Sequence, residues 1–407
     1  MSESAGTRLL SLVAHRPFLF YVGARSGAEL ASQIATVAIG WQVYALTHSA
    51  LALGLVGLVQ FLPTLLLTFL AGHMADHFDR RRIVQLAELT CAVTSMLLAW
   101  GSFAGWLTHI HLFIAVAVFG TAEAFESPPL AALLPAVAPP GQLQRATAVA
   151  TGAFQVAMIA GPALGGLAAA LSPAVPYVLM AGCSALAALL SLALPRAAAP
   201  AAKPAPDLAS VFAGVTFVRR HPAILGTISL DLFAVLLGGA TALLPIYARD
   251  ILHTGAWVLG VLRSAPALGA LLMSVMLARH AIERRTGLRM FQAVIIFGLA
   301  TIVFALSRSI WLSLLALLVL GAADTISMVI RIALVQLATP DDMRGRVGAV
   351  NYLFVNASNQ LGQFESGATA ALFGAMPAAL IGGIGTVLIA LLWMKLFPAL
   401  RTLERLE

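Results

Sequence analysis

The chain has 407 residues, of which 60% are hydrophobic and only 10% charged, with a formal net charge of +7; its mean hydropathy is +0.94. A soluble domain carries roughly 25% charged residues, so this composition excludes a water-soluble globule. In a bilayer the backbone must satisfy its own hydrogen bonds in helices or a closed barrel. The apolar runs are long and unbroken, as from Leu51 to Leu70 and Leu312 to Leu320, whereas barrel strands are short and alternating. An all-α membrane protein is expected.

A helix needs about 20 apolar residues to cross the hydrocarbon core. In chain order, spans are expected near residues 18–46, 51–73, 83–105, 110–135, 144–171 and 174–195. A second set follows near 222–248, 256–278, 289–307, 310–337, 346–373 and 378–398. These twelve spans divide into an N-terminal bundle (1–195), a linker (196–221) and a C-terminal bundle (222–407). The polar N-terminus leads into a span too long for a signal-peptide core, so no cleavable signal is expected. Cys91 and Cys183 both fall within apolar runs, which fits small buried residues and neither a disulfide framework nor a metal site.

The short connections after even-numbered spans carry Arg80, Arg81 and Arg82, then Arg145, then Arg279, Arg284 and Arg285, then Arg344 and Arg346. Those after odd-numbered spans carry only Arg249 and Arg308. Arg8, Arg16, Arg401 and Arg405 make both chain ends basic. The positive charge thus reads as membrane orientation, with both termini and the linker cytoplasmic, and not as a nucleic-acid footprint. The linker begins Ala-Pro-rich, as a flexible spacer. It continues with Leu208, Val211, Phe212, Val215 and Val218 at helical spacing before Arg219 and Arg220, which predicts an amphipathic helix lying on the inner membrane surface.

The chain repeats itself. Val118-Phe119-Gly120-Thr121-Ala122-Glu123 returns as Val319-Leu320-Gly321-Ala322-Ala323-Asp324, and Pro139, Arg145, Ala148 and Val149 return as Pro340, Arg346, Ala349 and Val350. His15-Arg16-Pro17 has a counterpart in Arg220-His221-Pro222. One six-helix unit used twice in parallel implies two pseudo-symmetric bundles, with substrate held between them near the membrane midplane.

The residues after the second span, Gly72-His73-Met74-Ala75-Asp76-His77-Phe78-Asp79-Arg80-Arg81, resemble the loop signature of the major facilitator superfamily. The family usually has Gly where this chain has Asp79. Gly161-Pro162-Ala163-Leu164-Gly165-Gly166, preceded by Gly152, resembles the fifth-span motif of proton-driven antiporters. Thr339-Pro340-Asp341-Asp342-Met343-Arg344-Gly345-Arg346-Val347 resembles the branch that includes bacterial enterobactin exporters. The resemblance implies a proton-driven exporter of the bacterial inner membrane, with spans one, four, seven and ten lining the cavity. It also implies a cytoplasmic gate from Gly72, Asp76, Arg80 and Arg81 to Arg344 and Arg346. The chemistry is reasonable, because a carboxylate can meet both a guanidinium and a helix N-terminus. A solvated loop that only sets topology is the plainer alternative. Gly152, Gly161, Pro162, Gly165 and Gly166 read as a tight, bent seam against leak, or as ordinary small-residue packing.

Charges within spans are the most informative residues, because each costs about 2.5–3.5 kcal/mol at a helix centre. They are Arg25 and Glu29 in the first span, Glu123 and Glu126 in the fourth, Asp231 in the seventh, and Asp324 and Arg331 in the tenth. Glu123 and Asp324 occupy equivalent places in the repeat and are the leading proton-coupling candidates, with Glu29, Glu126 and Asp231 behind them. Arg25 and Glu29, four residues apart, can pair. Arg25, Arg331, Gln60, Phe61, Phe125, Asn356 and Gln360 are candidates for substrate contact. Glu88, near the inner end of the third span, reads as structural, and a static buried ion-pair network is the alternative for the whole set.

No Gly-rich phosphate loop is present, so no nucleotide or other cofactor is expected. His73 and His77 lack the partners of a metal site. The expected partners are a small organic solute, protons and membrane lipid, handled by a monomer. A multidrug/proton antiporter, a lysolipid flippase, and a non-transporting receptor or scaffold are the competing readings.

Overall fold

The computed structural model describes residues 12, 15–195, 208–280, 284–340 and 343–404, apart from the side chains of residues 69, 76, 208–212, 349 and 352. Among these the long helices are α1 (Arg16–Thr47), α2 (Ala50–His77), α3 (Arg80–Ala104), α4 (His109–Val137), α5 (Leu143–Leu171) and α6 (Val175–Leu192). After the linker come α7 (Leu208–Arg220), α8 (Pro222–Leu237), α9 (Ala256–Arg279), α10 (Thr286–Leu306), α11 (Ile310–Leu337), α12 (Arg344–Phe373) and α13 (Ala375–Leu396). Among the described residues, ten segments are long and apolar enough to cross a bilayer by themselves. The other two of the twelve expected spans are α1, with Arg16, Arg25 and Glu29, and α12, rich in Asn, Gln and Arg. Leu66, Trp100, Leu189 and Leu315 stand exposed along the helices, as lipid-facing residues do when the solvent is hydrocarbon.

The helices gather into two compact units, Met1–Leu46 with Val59–Ala205, and Thr47–Leu58 with Pro206–Glu407. The division falls inside α2, whose opening turns cluster with the second unit.

In the first unit α3 packs along α4 and α6. One buried cluster joins Phe18 and Tyr21 of α1, Val84 of α3, Leu130 and Leu133 of α4, and Ala146 of α5. Asp79 starts α3: its carboxylate accepts the Arg81 amide at 3.1 Å. This N-cap satisfies one of the donors that every helix start leaves open, which gives a local reason for Asp79 where the family usually has Gly.

In the second unit α9 and α10 flank α11, and α8 lies against α12 and α13. The crossing of α9 and α11 is very close. A Cβ on Gly269 would strike the Leu318 carbonyl, and one on Gly321 the Pro266 carbonyl. The expected seventh span is not one continuous helix. Helix α8 ends at Leu237, a 3₁₀ turn covers Ala240–Leu243, and a short helix and a π turn carry the chain from Leu244 to Ile251. Gly238-Gly239 lowers helix propensity at the break, and Pro245 cannot donate a helical hydrogen bond. The linker helix α7 packs on the start of α12. A Cβ on Gly214 would lie 2.9 Å from the Arg346 carbonyl oxygen, and Val218 packs with Val347 and Val350. Val215 and Val218, the described part of its apolar stripe, are therefore packed against protein, chiefly the start of α12.

Candidate functional site

Four glutamates converge in the first unit. Gly120 brings α4 against α2, where the Thr64 hydroxyl donates to the Gly120 carbonyl at 3.0 Å. One helical turn on, Gln60 Nε2 donates to Glu123 at 3.0 Å. Glu123 is solvent-exposed, whereas Glu126, on the same face of α4, is partly buried. The Glu126 carboxyl is hydrogen-bonded to that of Glu88 on α3, which also takes the Ser184 hydroxyl of α6. One oxygen of the Glu88 carboxyl group is buried with no hydrogen-bond partner among the described residues. Glu29 of α1 lies close enough to feel the charges of Glu123 and Glu126, and its oxygen accepts Gln33 Nε2 at 2.8 Å.

The expected pairing of Arg25 with Glu29 does not form. Arg25 donates to the Tyr21 hydroxyl at 2.9 Å and lies over the Phe154 ring, 5.1 Å from its centre. An i−4 phenol and an aromatic face offer the guanidinium a hydrogen bond and a cation–π contact together, while Gln33 occupies Glu29. Phe61 is buried at 7% exposure and Phe125 is partly exposed.

The glycines of α5 form a contact surface. A Cβ on Gly161 would meet the Gln33 side chain at 2.5 Å, and one on Gly165 would meet the Ile34 backbone at 3.1 Å. The two are one turn apart and let α1 and α5 approach closely. Gly166 is buried beside them, Gly152 has open space around it, and Pro162 sits within a helix that continues past it. Of the loop signature, Arg81 Nη1 donates to the carbonyls of Leu192 and Leu194, at 3.1 and 3.3 Å, at the end of α6 and just past it. It thus satisfies carbonyls that the helix leaves unpaired. Arg80 Nε donates to the Ala75 carbonyl at 3.1 Å, and Gly72 has open space around it. The Asp76 side chain and residues Asp341 and Asp342 lie outside the described residues.

In the second unit two of the charges pair with each other. Arg331 of α11 forms an ion pair with Asp231 of α8, and the two are only 4% and 7% exposed. Asp231, Asp324 and Ser327 line one small cleft with Val294 and Phe297 of α10. Asp324, Ser327 and Arg331, at i, i+3 and i+7, share one face of α11. Gln360 of α12 accepts Gln363 Nε2 at 3.3 Å and lies where a Cβ on Gly57 would touch it. Asn356 is one turn before it and partly buried. Arg344 Nε donates to the Gln336 carbonyl at 3.2 Å, and Arg346 leans on the Met343 sulfur.

A family model described as transmembrane secretion effector, within the major facilitator superfamily, matches residues 14–406. The chain belongs to that family. It is a multi-pass membrane transporter of small solutes, not an enzyme. Among curated relatives, it is 26% identical over 366 residues to the enterobactin exporter EntS of Citrobacter koseri, covering 90% of this chain and 88% of that protein. It is 27% identical over 365 residues to the multidrug efflux pump Tap of Mycolicibacterium fortuitum, covering 86% and 88%. Among solved structures it resembles the nucleoside transporter NupG, with a TM-score of 0.74 at 15% identity, covering 94% and 99%. A bacterial homologue of the lysosomal transporter Spinster, in an inward-facing conformation, gives 0.70 at 15%, covering 98% and 97%.

Glu88, which reads as structural from the sequence, is 2% exposed. Its neighbours Glu126 and Ser184 come from two other helices, which only folding brings to it.

Proposed function

We propose that this transporter exports a small organic solute, a siderophore or related metabolite, across the bacterial inner membrane by proton-coupled alternating access, with both termini in the cytoplasm. The observation that carries the reading is the set of carboxyl groups kept inside membrane-spanning helices of both units: Glu29, Glu88, Glu123 and Glu126 in one, Asp231 and Asp324 in the other. Such groups are costly in a bilayer, and a passive scaffold gains nothing from them. A proton traded at Glu123 or Asp324 as access alternates would couple the gradient to solute movement. Gly72, Asp76, Arg80, Arg81, Arg344 and Arg346 would form the cytoplasmic gate, and Arg25, Gln60, Phe125, Asn356 and Gln360 would meet the solute. The likeness to EntS supports a siderophore; the likeness to Tap supports multidrug efflux as the second reading.

The test is uptake into inverted membrane vesicles with an acidic interior, using a catecholate siderophore and an amphipathic cationic dye. Protons leaving the vesicle should drive solute in. Glu123→Gln or Asp324→Asn should abolish the gradient-dependent part. Unchanged coupling in both variants would overturn the proton assignment, and the preferred solute separates the two readings.

A further inference from the structure

We infer that Arg331 is a positioning residue: it is the standing counter-charge of Asp231, so that Asp324 is the exchangeable proton site of the second unit. The inference deepens the proton-coupled reading above and rests on it for its place in transport. The geometry carries it. Arg331 and Asp231 form an ion pair through Arg331 Nη1 with both side chains almost fully buried, and beyond that contact neither Nε nor Nη1 of Arg331 has a hydrogen-bond partner among the described residues. A buried guanidinium with one neutralising neighbour holds that neighbour ionised, because losing either charge leaves the other buried and alone. Two turns along the same face of α11, Asp324 shares the cleft with Asp231 and Ser327 but has no ion-pair partner among the described residues.

The other charged groups on helices packed against α11 do not replace Arg331. Arg263 of α9 donates to the Thr241 carbonyl at 3.5 Å, next to the break after α8. Glu365 of α12 takes the Thr369 hydroxyl at 2.8 Å. Arg344 and Arg346 stand at the start of α12, and Arg289 in the first turn of α10. One cleft thus holds two aspartates with different duties. Asp231 is fixed as an anion by Arg331, and Asp324 is left to gain and lose a proton.

The experiment is an infrared pH titration of the full chain in lipid vesicles, with the proton as the only ligand, reading the carbonyl stretch of protonated carboxyl groups. Asp324→Asn should lose one titrating band, and Asp231→Asn combined with Arg331→Gln should keep it. Arg331→Gln alone should gain a band from newly protonated Asp231, and Arg331→Lys should not. The inference is overturned if the double variant loses the band that Asp324→Asn loses, or if Arg331→Gln adds none. Should Arg331→Gln fail to fold, Arg331→Lys and the double variant leave no lone buried charge and decide the matter. The readout needs no solute, so vesicle transport that ignores the gradient would defeat the exporter reading while leaving these assignments intact.

Discussion

The two units hold the charge within their helices in opposite ways. The first collects four glutamates from α1, α3 and α4, and Arg25, one turn from Glu29, turns to Tyr21 and Phe154. There the carboxyl groups are accommodated by hydrogen bonds: Gln33 to Glu29, Gln60 to Glu123, and Glu88 to Glu126 and Ser184. The second unit cancels its charge with the Asp231–Arg331 pair and leaves Asp324 beside it. A repeated architecture has therefore been filled with two electrostatic solutions. Hydrogen-bonded acids can accept a proton without stranding a cation; an ion pair cannot.

The contrast can be broken most sharply by neutralising one acid in each unit and measuring thermal unfolding in detergent. Asp231→Asn strands Arg331 and should cost about 3–5 kcal/mol. Glu88→Gln keeps an amide that can donate to Glu126 and should cost no more than about 1 kcal/mol. Equal losses would remove the distinction between the units.

Packing gives the next contrast. Gly321→Val drives a side chain into the Pro266 carbonyl and should destabilise by about 1–3 kcal/mol or more. Gly152→Ala on α5 meets open space and should stabilise by about 0.5–1 kcal/mol, the helix-propensity gain. If Gly152→Ala instead stops transport while raising the melting temperature, Gly152 serves motion and not packing.

The smallest effect concerns the start of α3. Asp79→Ala removes the cap on the Arg81 amide and should cost about 1 kcal/mol, whereas Asp79→Gly should cost only a few tenths. Comparable losses in the two variants would show that the 3.7 Å contact of Asp79 with Arg81 Nη2 matters more than the cap.

What the sequence by itself determined is what depends on composition and short-range spacing. Continuous apolar runs dictate helices in a bilayer, and helix bounds such as Ile310–Leu337 follow at once. The costly residues, Glu123, Glu126, Asp231, Asp324 and Arg331, could also be named from the sequence, because a charge in an apolar run stands out wherever it points. Only tertiary structure decided their partners. Arg25 and Glu29 have ideal spacing, yet each found a better neighbour; Asp231 and Arg331, a hundred residues apart in the chain, found each other. The break after α8 and the docking of α7 on α12 belong with these. A partner across helices depends on depth and rotation together, and those are fixed by side-chain packing over the whole unit, which no local spacing records.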